Sequence, residues 1–178
     1  MQISGKTKRQ AGVLVPVHRS PQGDLRLILV RRSEGGIHGG QLAFPGGKPE
    51  PADSSLLETA LRETREEIGL GSEKIEILAE LPVAETMMSG FRVLPFLARV
   101  AVPSRWSFAT HEIAEIMDVS VAALARPEAR GRMIEHLPQW PAPREIEFYR
   151  VGPYRMWGLT FRIVEPLIPR LMSGEWEL

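Results

Sequence analysis

The sequence predicts one domain of α/β (α+β) class, a mixed sheet flanked by helices, and three observations lead there. Strand-like segments dominate the chain, two helical segments stand well apart, and neither an internal repeat nor a low-complexity linker divides it. A chain of 178 residues is long enough to close a full hydrophobic core. With 43% hydrophobic and 25% charged residues, its composition is that of an ordinary soluble globular protein.

Residues 1–10 read as an N-terminal extension with no apolar core for a signal peptide, and the domain is expected over 11–178. Val13, Val15 and Val17 alternate within a first strand at 11–19, and a turn with Pro21, Gly23 and Asp24 leads to a second at 25–32. A third, short strand at 41–44 ends at Pro45-Gly46-Gly47. The clearest helix is 55–68, opened by the capping-box pattern Ser55-x-x-Glu58 and closed by Gly69. Strands follow at 74–81, 91–101 and 113–119, then a short helical piece at 120–126. The segment 127–143, with Pro127, Pro138, Pro141 and Pro143, reads as a long surface excursion. Strands near 145–150 and 153–157 lead into a last helix at 158–172, weakened by Pro166 and Pro169.

The 22 basic residues balance 22 acidic ones, so no overall field draws the chain to nucleic acid or to an anionic membrane surface. An anionic substrate must be held by local positive charge or by a metal. The absence of cysteine excludes disulfides, thiolate-ligated zinc and a cysteine nucleophile. No apolar run has the length of a membrane span, and the expected location is cytoplasmic.

Chemistry concentrates in one helix. At about 100° per residue, Leu57, Ala60, Leu61, Thr64 and Ile68 form a stripe that is expected to face the core. Glu63, Glu66 and Glu67 fall to one side of it, and Arg62, Arg65 and Glu58 to the other. Glu58–Arg62 and Arg62–Glu66 are favourable i,i+4 pairs. Glu63 and Glu67 are like charges one turn apart, a pairing that costs roughly 0.2–0.5 kcal/mol in a plain helix. They also lie toward the C-terminal end, where the helix dipole disfavours negative charge. Most charge runs are solvated faces, but two penalties at one place predict a compensating cation. Clustered carboxylates are the hard oxygen ligands that Mg2+ or Mn2+ prefers. Upstream, Gly46-Gly47 lets the backbone turn tightly, and a carbonyl there, such as that of Gly47, can complete a coordination shell.

The stretch from Gly47 to Leu70 resembles the Nudix box, whose usual form is G-x5-E-x7-R-E-U-x-E-E-x-G-U, with U apolar. Arg62-Glu63-Thr64-Arg65-Glu66-Glu67-Ile68-Gly69-Leu70 matches its second half, with Thr64 where an aliphatic residue is usual. In the first half the expected glutamate falls on Ser54, Asp53 is the nearby acid, and one extra residue separates Gly47 from Arg62. A box lengthened in this way, with an aspartate there, is similar to that of one subgroup, the coenzyme A pyrophosphatases. Residues 43–47, 59–64, 89–95 and 157–160 resemble the same subgroup, so the likeness runs from about 11 to 172. Before the box, the subgroup's usual R-S-x-x-L-R-x-H-x-G is one residue shorter here: it keeps Arg32, Ser33, His38 and Gly40 but lacks the central leucine and arginine.

The resemblance implies a Nudix-like α/β/α sandwich with a mixed central sheet, monomeric or homodimeric, that hydrolyses a pyrophosphate bond in a small-molecule nucleotide substrate with Mg2+ (or Mn2+). It implies Glu63 and Glu67 as principal metal ligands, Glu66 as a further ligand or the base, and Arg62 as the residue that orients a carboxylate. An extra acid from a later loop has two candidates, Glu112 and Glu115. Arg31, Arg32, Lys48 and Arg92 are candidates to bind phosphate oxygens, including a 3′-phosphate on a ribose, and Arg92 is favoured because it follows an aromatic residue. His38, in a glycine-rich loop, is a further candidate, and Trp106, Trp140 and Trp157 offer rings for a base or for packing. The leading substrate is coenzyme A or acyl-CoA, cut to 3′,5′-ADP and (acyl-)4′-phosphopantetheine. ADP-ribose or another nucleoside diphosphate derivative is the second expectation. A non-catalytic nucleotide-binding Nudix module is the third, and the presence of all three box glutamates counts against it.

Overall fold

The computed structural model describes residues 9–35, 39–85, 90–137 and 140–178; His38, Ser89 and residues 1–8 of the extension lie outside these. The first half contains strands β1 (Gln10–Arg19), β2 (Leu25–Arg32), β3 (Leu42–Ala43) and β4 (Gly46–Gly47), then helix α1 (Leu56–Ile68). Strands β5 (Ile75–Glu80), β6 (Ala84–Glu85), β7 (Arg92–Val100) and β8 (Ile113–Ser120) follow. The chain ends with the one-turn helix α2 (Val121–Leu124), strands β9 (Arg130–Glu135), β10 (Arg144–Val151) and β11 (Tyr154–Trp157), and helix α3 (Gly158–Met172).

β1 is buried along its whole length from Ala11 to Val17, as a central strand covered on both faces must be. It runs parallel to β7 and antiparallel to β2 and β4, which makes the sheet mixed. β5 and β6 extend it beyond β7, and β3 and β8 flank β2, all antiparallel. Side chains alternate across a strand, so the two faces sort by residue parity. Leu14, Ile28, Val30, Phe96 and Ala98 pack with Ala60 and Ile68 of α1. Val13, Val15, Leu27, Leu29 and Leu97 pack with Val121 of α2 and Phe161, Val164 and Leu167 of α3. The result is the expected helix–sheet–helix sandwich. α3 runs through Pro166 and Pro169, because its stripe of Phe161, Val164, Leu167, Ile168 and Leu171 is buried and compensates for two missing amide donors. Among the described residues, no helix is long and apolar enough to cross a membrane.

Three expectations are corrected. The excursion at 127–143 contains β9, the outer strand of a separate antiparallel sheet β9-β10-β11. Its sequence Arg-Gly-Arg-Met-Ile-Glu lacks an apolar alternation because it is an edge: Ile134 is 69% exposed, and Arg130 and Arg132 pair across to Glu147 instead. The strand at 41–44 is shorter and is followed by a second, β4, after Pro45; Gly46 takes a φ of 149°, a conformation that favours glycine. Finally, Glu58 is not the partner of Arg62. Its carboxylate accepts the Ser54 N–H at 2.7 Å while Ser55 Oγ accepts the Glu58 N–H at 3.2 Å, so the capping box holds it at the helix start.

Candidate active site

β4 pairs with β1 through Gly12–Gly47 and Val13–Gly46, which sets the glycine turn beside α1. The buried residues of α1 are Thr59, Ala60, Thr64, Glu67 and Ile68, so Glu67 sits on the core face rather than beside it. Its side chain is 3% exposed. One carboxylate oxygen accepts the Gly46 N–H at 3.0 Å, and the other lies 3.7 Å from Arg32 Nη1. Burial pushes the Glu67 carboxyl up to about 7, the charges of Glu63 and Glu112 add to this, and the Gly46 amide and Arg32 oppose it. Glu63 lies against Gly47, filling the place a Cβ would take there, and is 3.1 Å from Arg62 Nη1. Burial raises its pKa too, with the charges of Glu66 and Glu112 adding.

Glu112 stands near the cluster: its charge acts on both Glu63 and Glu67, while its own carboxylate lies 3.2 Å from His111 Nε2. It comes from a loop tied to the end of α1, where the Ala109 N–H donates to the Glu67 carbonyl at 3.0 Å. The Glu112 N–H donates to the Ala109 carbonyl at 2.9 Å, and the Glu112 carbonyl accepts the Ser33 N–H at 2.7 Å. Glu115, three residues on, is absorbed elsewhere. It receives the Tyr154 hydroxyl at 2.9 Å and lies 3.4 Å from Arg31 Nε. Arg31 also stacks over the Tyr154 ring, so consecutive residues Arg31 and Arg32 serve opposite sides of the strand.

Arg62 is the organising cation. Its guanidinium donates to both oxygens of Asp53, at 3.1 and 3.0 Å, and to the Lys48 carbonyl at 3.1 Å. It is also 3.1 Å from Glu66. Asp53 is 5% exposed and accepts in addition from the Thr59 hydroxyl and the Glu50 N–H, both at 2.9 Å. The Arg62 fork holds the Asp53 carboxyl well below the usual carboxylate range, and Asp53 raises Arg62 in return. The carboxylate that Arg62 is expected to orient is thus joined by Asp53, which is absent from the site residues expected from the sequence. The signal was present: Asp53 is the acid nearest the position where the box expects one.

The structure thus brings together Arg62, Glu63, Glu66, Glu67, Gly47, Glu112 and Arg32. Arg92 stands further along, opposite Gln10 on β1, and pairs with Glu85 at 3.5 Å. Lys48 rests on the ring of Phe91. Trp140 and Trp157 pack edge to face, and Trp106 packs on the core beneath α1. Glu63 and Glu66 share Arg62, Glu67 lies by Arg32 and Glu112 by His111, and among the described residues no three acidic or histidine side chains close on one point. The donor set is nonetheless all hard oxygen on flexible side chains, a composition suited to Mg2+ or Mn2+ and unsuited to soft metals.

Residues 8–140 match the NUDIX domain. The chain belongs to the Nudix family. It is 40% identical over 164 residues to a Pectobacterium atrosepticum protein named uncharacterized Nudix hydrolase NudL, covering 90% of this chain and 81% of that one. A protein of the same name from Cronobacter sakazakii is 32% identical over 180 residues, covering 98% and 88%. Among solved structures, the Nudix hydrolase RenU of M. smegmatis matches with a TM-score of 0.64 at 18% identity, over 96% of this chain and 89% of that one, a likeness of fold. As a Nudix hydrolase, the chain is an enzyme that acts on phosphorus-containing anhydrides, hydrolysing pyrophosphate bonds in nucleotide derivatives. Nudix hydrolases generally use divalent metals such as Mg2+ or Mn2+.

Proposed function

We propose that this Nudix hydrolase cuts the pyrophosphate bond of coenzyme A or acyl-CoA, releasing 3′,5′-ADP and (acyl-)4′-phosphopantetheine. The observation that carries the reading is the Asp53–Arg62 clamp. The lengthened box resembles that of the coenzyme A pyrophosphatases, and the aspartate that comes with the extra residue has a defined task here: it fixes the arginine that in turn holds Glu63 and Glu66.

Glu63, Glu66, Glu67 and the Gly47 carbonyl would hold the cation, Mg2+ or Mn2+. When bound, it supplies positive charge to the pyrophosphate oxygens and lowers the pKa of an attacking water. The remaining work falls to the chain. Arg62 holds Glu63 and Glu66, Glu63 lies against the Gly47 turn, and the Gly46 amide fixes Glu67. Glu66, 53% exposed, or Glu112, on its tethered loop, takes the proton of the attacking water. Arg32, beside Glu67, is positioned to steady a phosphate oxygen at the reacting centre.

A turnover screen of coenzyme A, acetyl-CoA, ADP-ribose and diadenosine tetraphosphate, each with Mg2+ and with Mn2+, tests the substrate. Coenzyme A or acetyl-CoA should give the highest kcat/KM. A higher value for ADP-ribose or the dinucleotide would overturn the reading.

A further inference from the structure

We propose that Arg9, Lys48 and the ring of Phe91 form a subsite for a phosphate group of the substrate that is not part of the hydrolysed linkage. The inference rests on the pyrophosphatase reading above and adds the place where the far end of the substrate is recognised. Arg9 Cζ lies 5.6 Å, and Lys48 Nζ 5.5 Å, from the centre of the Phe91 ring. Two cations gathered on one ring repel each other, and among the described residues neither is paired with a carboxylate. Neighbouring Arg92 differs: Glu85 stands 3.5 Å from its Nε. A doubly negative group between Arg9 and Lys48 would relieve that repulsion and gain two charge-assisted contacts.

The position suits a substrate that spans both regions. Lys48 directly follows Gly47, which lies against Glu63, and the Lys48 carbonyl is held by Arg62. The Arg92 N–H donates to the Arg9 carbonyl at 2.9 Å, which extends the β1–β7 pairing by one residue and fixes where Arg9 leaves the sheet. In register, Gly12 faces both Gly47 and Leu94, while Gln10 faces Arg92. Arg9 therefore lies three residues, or about 10 Å, along β1 from the glycine turn, and Lys48 lies beside the turn itself. Over that distance the local charge changes from acidic to basic. A nucleotide whose pyrophosphate lies at the carboxylates can reach the patch only with another part of itself, and the chemistry there selects an additional phosphate. A net charge of +0 provides no general attraction for it, so selection depends on this contact.

The test is calorimetric titration, in excess chelator, with adenosine 3′,5′-bisphosphate and with 5′-AMP. The parent should bind the bisphosphate about ten- to a hundredfold more tightly, the gain expected of one or two charged hydrogen bonds. In the double variant Arg9→Gln, Lys48→Gln that ratio should fall to near one, with a thermal midpoint like the parent's showing that the fold is kept. Equal binding of the two nucleotides by the parent, or a ratio unchanged in the double variant, would overturn the subsite. Failure to hydrolyse coenzyme A would count against the proposed substrate alone, because the nucleotides are compared by binding without turnover.

Discussion

Two glycines beside α1 separate the site from the scaffold. The nearest atoms a Cβ at Gly47 would meet are those of the Glu63 carboxylate, with its Cδ at 2.5 Å and one oxygen at 2.9 Å. That group is the end of a flexible side chain and can rotate away. Gly47 has no positive φ, so alanine there also lowers the freedom of the unfolded chain, a stabilisation of about 0.4–1 kcal/mol. Losing the 3.1 Å contact between Glu63 and Arg62 costs a similar amount. The thermal midpoint of Gly47→Ala should therefore stay within about 3 °C of the parent, since about 1 kcal/mol corresponds to 2–4 °C at this chain length. Its kcat should fall about a hundredfold or more, equivalent to about 2.7 kcal/mol, because Glu63 is moved from its place. Gly12→Ala should do the reverse. There the Cβ would strike the Leu56 carbonyl, with its carbon at 3.0 Å and the Ala60 nitrogen at 3.4 Å, and a helix backbone cannot turn aside. Overpacking of about 1–3 kcal/mol should lower the midpoint by about 3–10 °C. Circular dichroism melts and turnover of the best pyrophosphate substrate measure both. If Gly47→Ala keeps half the parental kcat, the assignment of Glu63 to the reaction is wrong; if it melts as early as Gly12→Ala, Gly47 belongs to the scaffold and not to the site.

Arg62→Ala should lose both activity and stability, the latter by about 2–4 kcal/mol or 5–15 °C in midpoint, because it leaves the buried Asp53 unpaired; a parental melt and rate would make Arg62 a surface residue. The Asp53 carboxyl is depressed below its ordinary 3.8, so its contribution to stability is complete above that pH and is lost as the pH falls toward the folded-state value. The midpoints of the parent and Asp53→Asn should accordingly differ at pH 5–8 and converge below about pH 3.8; a constant gap in a pH series of melts would contradict the clamp. Glu112→Gln should keep the parental midpoint and lower kcat about a hundredfold. Unchanged steady-state turnover would remove Glu112 from the chemistry.

What could be read in advance was mostly local. Ser55, Glu58 and Gly69 mark both ends of α1 within one turn of each, and the parity of Val13, Val15 and Val17 marks β1, so short-range rules sufficed. The burial of Glu67 was hidden because polar residues hold core positions beside it. The Thr64 hydroxyl donates to the Ala60 carbonyl at 2.6 Å, and Thr59 is satisfied by Asp53 and Ser55, so both are buried without looking apolar. The Arg62–Asp53 pairing spans nine residues and depends on the turn that precedes α1, which no helical spacing rule reaches. β9 stayed out of view because an edge strand stabilised by Arg–Glu pairs carries no alternation of apolar residues. Arg9 lay in what read as an extension, and only the pairing of β1 with β7 brings it to Phe91.

The most direct test of a cation-dependent site on α1 is turnover of the best pyrophosphate substrate by the parent, Glu63→Gln and Glu67→Gln, in excess chelator and after Mg2+ or Mn2+ is restored. The parent should be inactive in chelator and recover fully with the cation, while each variant, still folded by circular dichroism, should remain about a hundredfold or more below it in kcat. Full parental activity in chelator, or variants that match the parent once the cation is restored, would contradict the assignment.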